Sequence, residues 1–340
     1  MRCRGYVWQA RLSVVLVCSI LALWPQTLLR GRDVAALARS SGPAYPADAF
    51  ADRGYLRRPT VLGSYQQLWY APLPLTPMVA GNEVAAWVPQ GDEGPGGYAV
   101  FTTTLTPAPS APPIAIAWIN QQQASGQIYA GVTQPGGAWP YEAPVPASRY
   151  ATLVAAFEGG FQFTQTGGGF YQNGRYGAPL HNGDASLVEY DNGQMAIGTW
   201  GSEVNMTPSV EAVRQNLTLL VDHGQVTPQA SITPLTTWGY SLGNLVSTWR
   251  SGIGITTNNN LVWVGGPGLS PAELGAVLVH AGVVEGMQLD INPDWVNFAT
   301  YTDHGPNGIA GINILPAMIF PPVHYLGPFW RDFVAVFLRS

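Results

Sequence analysis

The chain has 340 residues, 46% hydrophobic and only 10% charged, with 40 Gly, 29 Pro and 12 Trp, which excludes a disordered chain and a disulfide-stapled miniprotein. All 15 basic residues are Arg: nine Arg against three acids in the first 58 residues (+6), then six Arg against 17 acids in the remainder (−11). No basic stripe is left to follow a nucleic-acid backbone, so nucleic acid is not an expected partner, and the lack of Lys removes Schiff-base and lysine-nucleophile chemistry.

Arg2, Arg4 and Arg11 precede an apolar run from Leu12 to about Trp24, and Arg30 and Arg32 close it. Residues 1–30 are therefore expected to be a signal anchor, with a cleaved signal peptide as the alternative, and the rest of the chain to be exported. The only cysteines, Cys3 and Cys18, lie in this segment, so the exported part has no disulfide, zinc thiolate or cysteine nucleophile. Residues 31–60 read as a juxtamembrane linker, 61–149 as a β-rich part of the exported region, and 150–340 as the main domain.

Within the exported part, short runs of Val, Ile, Tyr, Phe, Trp and Thr alternate with Gly and Asn-Gly signals. Three hairpins are expected: Tyr171–Tyr176 around Asn173-Gly174, Leu187–Trp200 around Asn192-Gly193, and Gly252–Val264 around Asn258–Asn260. Ser270-Pro271-Ala272-Glu273 combines an N-cap, a Pro at the first helical position and a Glu at the third, predicting a helix that ends at Gly282. A second helix is expected from Thr207-Pro208 to about Asn216, and a strand over Gly286–Asn292 carries Asp290 near its end. The fold class expected is α+β, a mostly antiparallel β-sheet core with a few packed helices.

No dinucleotide fingerprint, P-loop, zinc-protease or nucleophile-elbow motif occurs, and the five His have no ligand spacing. Three segments stand out: Ala156-Phe-Glu158-Gly-Gly160-Phe, Trp249-Arg250-Ser-Gly252-Ile-Gly254 and Leu289-Asp290-Ile-Asn292-Pro-Asp294-Trp295. With Arg214-Gln-Asn216, Val221-Asp-His-Gly224, Gly265–Ser270 and Arg331-Asp332-Phe333, they make the chain resemble the phosphodiester glycosidase domain family from roughly Tyr150 to Arg339. Two departures accompany the resemblance: Glu158 stands where the family usually has Asn, and Ile291–Trp295 replaces a Gly-rich, Ser-containing run.

The resemblance implies an exported hydrolase cleaving a sugar-1-phosphate diester in envelope polysaccharide or glycolipid. The competing expectation is a glycan-binding or envelope-assembly protein without turnover. The chemistry of the residues points the same way. A diester's single negative charge suits a planar Arg, for which Arg250 is the first candidate, with backbone room left by Gly252 and Gly254, and Arg175 the second. Asp290 is the first candidate base or nucleophile and Glu158 the second. Asn292 is a candidate substrate contact, and Trp295 and Tyr301 could stack on a sugar face or simply pack. Alternatively, Asp290 and Asp294, with Asn292, could offer hard oxygen ligands to Ca²⁺ or Mg²⁺.

Overall fold

The computed structural model describes residues 71–232, 237–304 and 308–340. The expected anchor and linker lie outside them, and among the described residues no helix is long and apolar enough to cross a membrane.

The strands form three antiparallel sheets, of nine, five and five strands. At the centre of the first, Ile114–Ile119, Leu261–Leu269, Thr248–Thr256 and Val283–Ile291 lie side by side in that order. The second is built around Ala185–Tyr190 and Val210–Gln215, and the third around Leu153–Glu158 and its neighbours Phe298–Asp303 and Phe333–Leu338. Strands on either side of residue 150 share sheets: Ile114–Ile119 pairs with Leu261–Leu269, and Ala124–Tyr129 with Phe333–Leu338.

The alternation of side chains explains why the first sheet is buried on both faces. Ala115, Ala117, Ile119 and Trp263 point into the core shared with the other two sheets. Their neighbours Ile114, Ile116, Trp118, Val262 and Val264 pack instead in a second cluster with Leu274 and Leu278 of the helix Pro271–His280. That helix starts as expected, with the Ser270 hydroxyl accepting from the Glu273 N–H (3.2 Å) and the Glu273 carboxylate accepting from the Ser270 N–H (2.8 Å). It gives way at Gly282, where φ is +90°.

The three expected hairpins form in the expected places. The fold class needs correction. The structure is β-sandwich-like rather than α+β: beside the ten-residue capped helix, the described α-helices, Phe163–Thr166 and Gln229–Ile232, span four residues each. The expected helix at 207–216 is the strand Val210–Gln215, paired on both edges. Its Pro signal was local, whereas Val210, Ala212 and Val213 are held by burial between two neighbouring strands, and tertiary context overrides a start signal of this kind.

Candidate active site

One end of each sheet contributes to a single buried cluster. Leu153–Glu158 ends in Glu158, Val283–Ile291 carries Asp290 one residue before its end, Val210–Gln215 carries Arg214, and Arg331 and Asp332 lead into Phe333–Leu338. Pairing sets the alignment: Phe333 lies opposite Glu158, and Arg250 opposite Ile291.

Ser251 joins the two candidate carboxyl residues. Its hydroxyl accepts from the Asp290 N–H (3.2 Å) and donates to Glu158 Oε1, while Glu158 Oε2 accepts from the Asn297 N–H (3.1 Å). Burial, opposed by these hydrogen bonds and reinforced by the nearby Asp290 charge, pushes the Glu158 carboxyl up to about 8. Burial also raises Asp290, but the Arg331 guanidinium and the Ile291 N–H hold it to about 6. At neutral pH one carboxyl therefore keeps its proton and the other is ionised, the separation of roles that acid–base catalysis requires.

Arg331 Nη2 donates to Asp290 Oδ2 and to the Gly160 carbonyl, each at 2.5 Å, and its guanidinium carbon lies 4.5 Å from the centre of the Trp295 ring. Its Nε and Nη1 have no hydrogen-bond partner among the described residues. Behind it, Arg214 Nε donates to Asp332 Oδ2 at 2.6 Å, and the same guanidinium donates to the Phe161 and Gln215 carbonyls. The glycines after Glu158 are explained here. A Cβ on Gly159 would sit 2.0 Å from Asp332 Oδ2, and Gly160 has φ +133°, so this turn admits no side chain at 159 without displacing the ion pair.

Of the residues expected at the site, Asp290, Glu158 and Trp295 come together, and Arg250 lies in the adjoining strand with every donor group engaged. Arg250 is fully buried and donates to the Leu269 carbonyl (3.0 Å), the Trp238 carbonyl (3.0 Å), Gln288 Oε1 (2.9 Å) and the Val246 carbonyl (3.1 Å). Desolvation lowers its pKa to about 10. Gly252 and Gly254 leave no vacant space beside it: a Cβ at Gly252 would meet Leu274 and Leu278, and one at Gly254 would meet Val283 at 2.2 Å. Arg250→Lys should therefore cost stability, roughly 2–4 kcal/mol, because one ammonium cannot satisfy four acceptors fixed around a planar fork. A melting curve matching the parent's would exclude this anchoring role.

Arg175 lies elsewhere, on the exposed hairpin arm Arg175–Ala178, where it donates to the Ala138 carbonyl and covers the Trp139 ring. Tyr301 is buried and donates to the Pro322 carbonyl, so it presents no face to a ligand. Asn292 adopts φ +74° and accepts from the Leu242 N–H (2.9 Å), supporting the loop before Trp249. These contacts do not fit the cation alternative. Asp290 is already neutralised by a guanidinium, the Asn292 oxygen is engaged by a backbone donor, and Asp294 is exposed.

A small pocket opens on this cluster, its lining including Glu158, Trp295, His324, Tyr325, Arg331 and Asp332. Arg331, Asp332, Arg214 and Ser251 stood in the quoted motifs without a role. An adjacent Arg-Asp pair directly before the apolar run Phe333–Leu338 was the available signal, since charges entering a core need partners. His324 and Tyr325 carried no signal beyond their residue types.

No protein-family model matches the chain, and no curated protein matches it by sequence. Among solved structures, it is similar to the catalytic domain of zebrafish N-acetylglucosamine-1-phosphodiester alpha-N-acetylglucosaminidase auto-inhibited by pro-peptide, at 13% identity and TM-score 0.45, covering 77% of this chain and 89% of that one. It is also similar to a hypothetical protein from Synechocystis, at 12% identity and TM-score 0.37, covering 71% of this chain and 62% of that one. A third similarity is to a putative exported protein from Burkholderia pseudomallei, at 10% identity and TM-score 0.27, covering 70% of this chain and 74% of that one.

Proposed function

We propose that this protein is an exported hydrolase that cleaves a sugar-1-phosphate diester of the cell envelope, tethered to the membrane by its N-terminal segment. The observation that carries the reading is the pair of buried carboxyls bridged by Ser251, Glu158 in the pocket lining and Asp290 bonded to the lining residue Arg331, whose unequal burial and partners push Glu158 higher than Asp290. Paired carboxyls of unequal affinity for protons are the working parts of glycoside hydrolysis. The zebrafish similarity is too distant to add weight; the sequence motifs add theirs through Arg214, Asp290 and Arg331, while Glu158 departs from the family pattern.

In this mechanism Arg331 takes the phosphate-binding role first expected of Arg250, because it keeps unengaged donors beside the pocket. Its guanidinium faces the diester's charge while fixing the Asp290 carboxylate. Asp290 accepts the proton of a water that adds to the anomeric carbon. The bond from that carbon to the phosphate oxygen breaks with its electron pair on oxygen, and Glu158 supplies the proton that makes the leaving group a monoester. A phosphate monoester leaves readily, so the proton from Glu158 contributes less than Asp290 does.

The test uses the full-length chain, purified in detergent and offered a chromogenic α-N-acetylglucosaminyl phosphodiester beside a plain α-glycoside. Turnover of the diester alone supports the hydrolase; glycan binding without turnover favours the assembly or binding protein. The pH dependence makes a sharper demand. The kcat/KM profile should be bell-shaped, falling below about 6 as Asp290 takes up a proton and above about 8 as Glu158 loses one. A profile flat from pH 5 to 9 would remove both carboxyls from the chemistry. Because burial raises Glu158 above its unfolded value, its contribution to stability is complete below about 4.5 and is lost as pH rises to about 8. Glu158→Gln should flatten that decline in Tm.

A further inference from the structure

The two ends of the strand Val283–Ile291 carry opposite kinds of surface. Near its start Glu285 stands with Glu203, Asp222 and His223, one carboxylate oxygen or ring nitrogen of each lying within 4.8 Å of the others; Glu203, Asp222 and His223 are exposed. At the far end, about 20 Å away at the roughly 3.3 Å rise of a strand residue, two loops flank the turn 292–295. Leu242 of the first donates its N–H to Asn292 Oδ1 (2.9 Å). Phe320 and Trp330 of the second lie against Trp295, their ring centres 5.9 and 5.2 Å from it. Both loops turn large apolar side chains outward: Tyr240, Leu242 and Leu245 on one, and Ile319, Val323 and Trp330 on the other, are between 39% and 72% exposed. Neither 237–249 nor 309–330 contains an Asp, Glu or Arg, and Asp294 is the one charged residue on the turn between them. Arg331 follows Trp330 but is buried.

We infer that this apolar rim is a membrane-docking face, inserted into the headgroup region of a lipid bilayer independently of the N-terminal segment. The charge distribution selects that partner. An acidic end gains nothing from a headgroup layer that is neutral or anionic, whereas a face without charge gains by burial and gives up no ion hydration. Apolar side chains scattered singly over a surface need no partner, but six large ones on two adjoining loops form a patch of the kind that marks one. A protein partner would be met by charged and polar groups around the apolar centre, which these loops lack. Tyr240 and Trp330 suit the membrane interface, where an aromatic body lies in lipid and its polar tip in water. The proposed tether ends near Trp24, and 46 residues separate Trp24 from Ala71. That length holds the domain near a bilayer without fixing which face it turns to the lipid. The rim supplies the orientation, and it directs the Glu158–Asp290 cluster toward the headgroups.

A depth measurement tests this without turnover. Cys3 and Cys18 are the only cysteines, so Cys3→Ser with Cys18→Ser leaves a full-length chain that accepts one nitroxide label at Leu242→Cys, at Ile319→Cys or, beside the acidic cluster, at Ser202→Cys. All three positions are exposed, and each variant should melt with the parent. Each is bound to vesicles of equal parts phosphatidylcholine and phosphatidylglycerol, and the label's collisions with oxygen, which concentrates in lipid, are compared with its collisions with a water-soluble nickel chelate. Labels at 242 and 319 should favour oxygen, and the label at 202 the chelate. Labels at 242 and 319 that favour the chelate would overturn the docking face, as would only one of the two in lipid, or a protein that fails to float with the vesicles. Shielding of both from both reagents would also overturn it, because a second copy or another protein would then cover the rim. Both labels in lipid on a protein that hydrolyses no diester would remove the hydrolase and leave the docking face standing; labels in water on an active hydrolase would do the reverse.

Discussion

Asp290→Asn should lower kcat for a sugar phosphodiester by at least ~100-fold, the lower end of what a positioned acid or base contributes, while leaving KM within a few-fold of the parent. The substitution is nearly isosteric, but the Ile291 N–H bonds Oδ1 and Arg331 bonds Oδ2, so the single amide oxygen keeps one of these two hydrogen bonds and the amide NH2 faces the other donor. What it removes is the negative charge, and with it the ability to take a proton from water. Arg331 is left with a buried charge that Asp290 had balanced, so the variant should also melt a few degrees lower, roughly 1–3 kcal/mol less stable. Steady-state kinetics beside a thermal melt separates the two effects. Retention of most of the parent rate on a substrate that the parent hydrolyses would make Asp290 structural and shift attention to Glu158.

The second large effect concerns the ion pair behind the site. Arg214 and Asp332 have side chains 0% and 1% exposed and meet at 2.6 Å, so removing one partner strands a charge in the core. Asp332→Ala should therefore cost about 3–5 kcal/mol, a fall of roughly 6–20 °C in Tm for a domain of this size. Replacing both residues with apolar ones of similar volume should recover much of that loss, because the largest part of the penalty is the uncompensated charge and not the missing attraction. A single variant melting within 2 °C of the parent, or a double variant worse than the single, would contradict this account. The pair positions Gly159 and Phe161, and so holds Glu158 and the pocket floor. The double variant separates stability from activity, since its Tm can recover while its kcat does not.

Much of the local structure was legible because it depends on near neighbours. Asn192-Gly193 and Asn173-Gly174 specify tight turns through backbone conformations that few other residues adopt, and both hairpins form. The capping box at Ser270 closes on itself within four residues, and the helix begins there. The 207–216 segment was read wrongly for the complementary reason: Pro208 is a local signal, and the strand at Val210–Gln215 is decided by partners at 170–172 and 185–190 that no short window contains.

The same division applies to the site. From residue types and order alone, the chain declares a Lys-free, nearly Cys-free composition, a basic and apolar start, a turn-rich β pattern, and the two carboxyls Asp290 and Glu158, because chemistry of that kind needs particular residue types in particular short motifs. Only the tertiary structure distinguishes Arg250 from Arg331. Both are Arg in recognisable motifs, and they differ in what surrounds them: four acceptors engage the first, while the second bridges Asp290 and Gly160 with donors to spare. Charge state was equally out of reach, since the separation of Glu158 from Asp290 comes from desolvation and from a guanidinium 41 residues away in sequence. Burial and long-range pairing are properties of three sheets meeting at one end, and no residue carries them by itself.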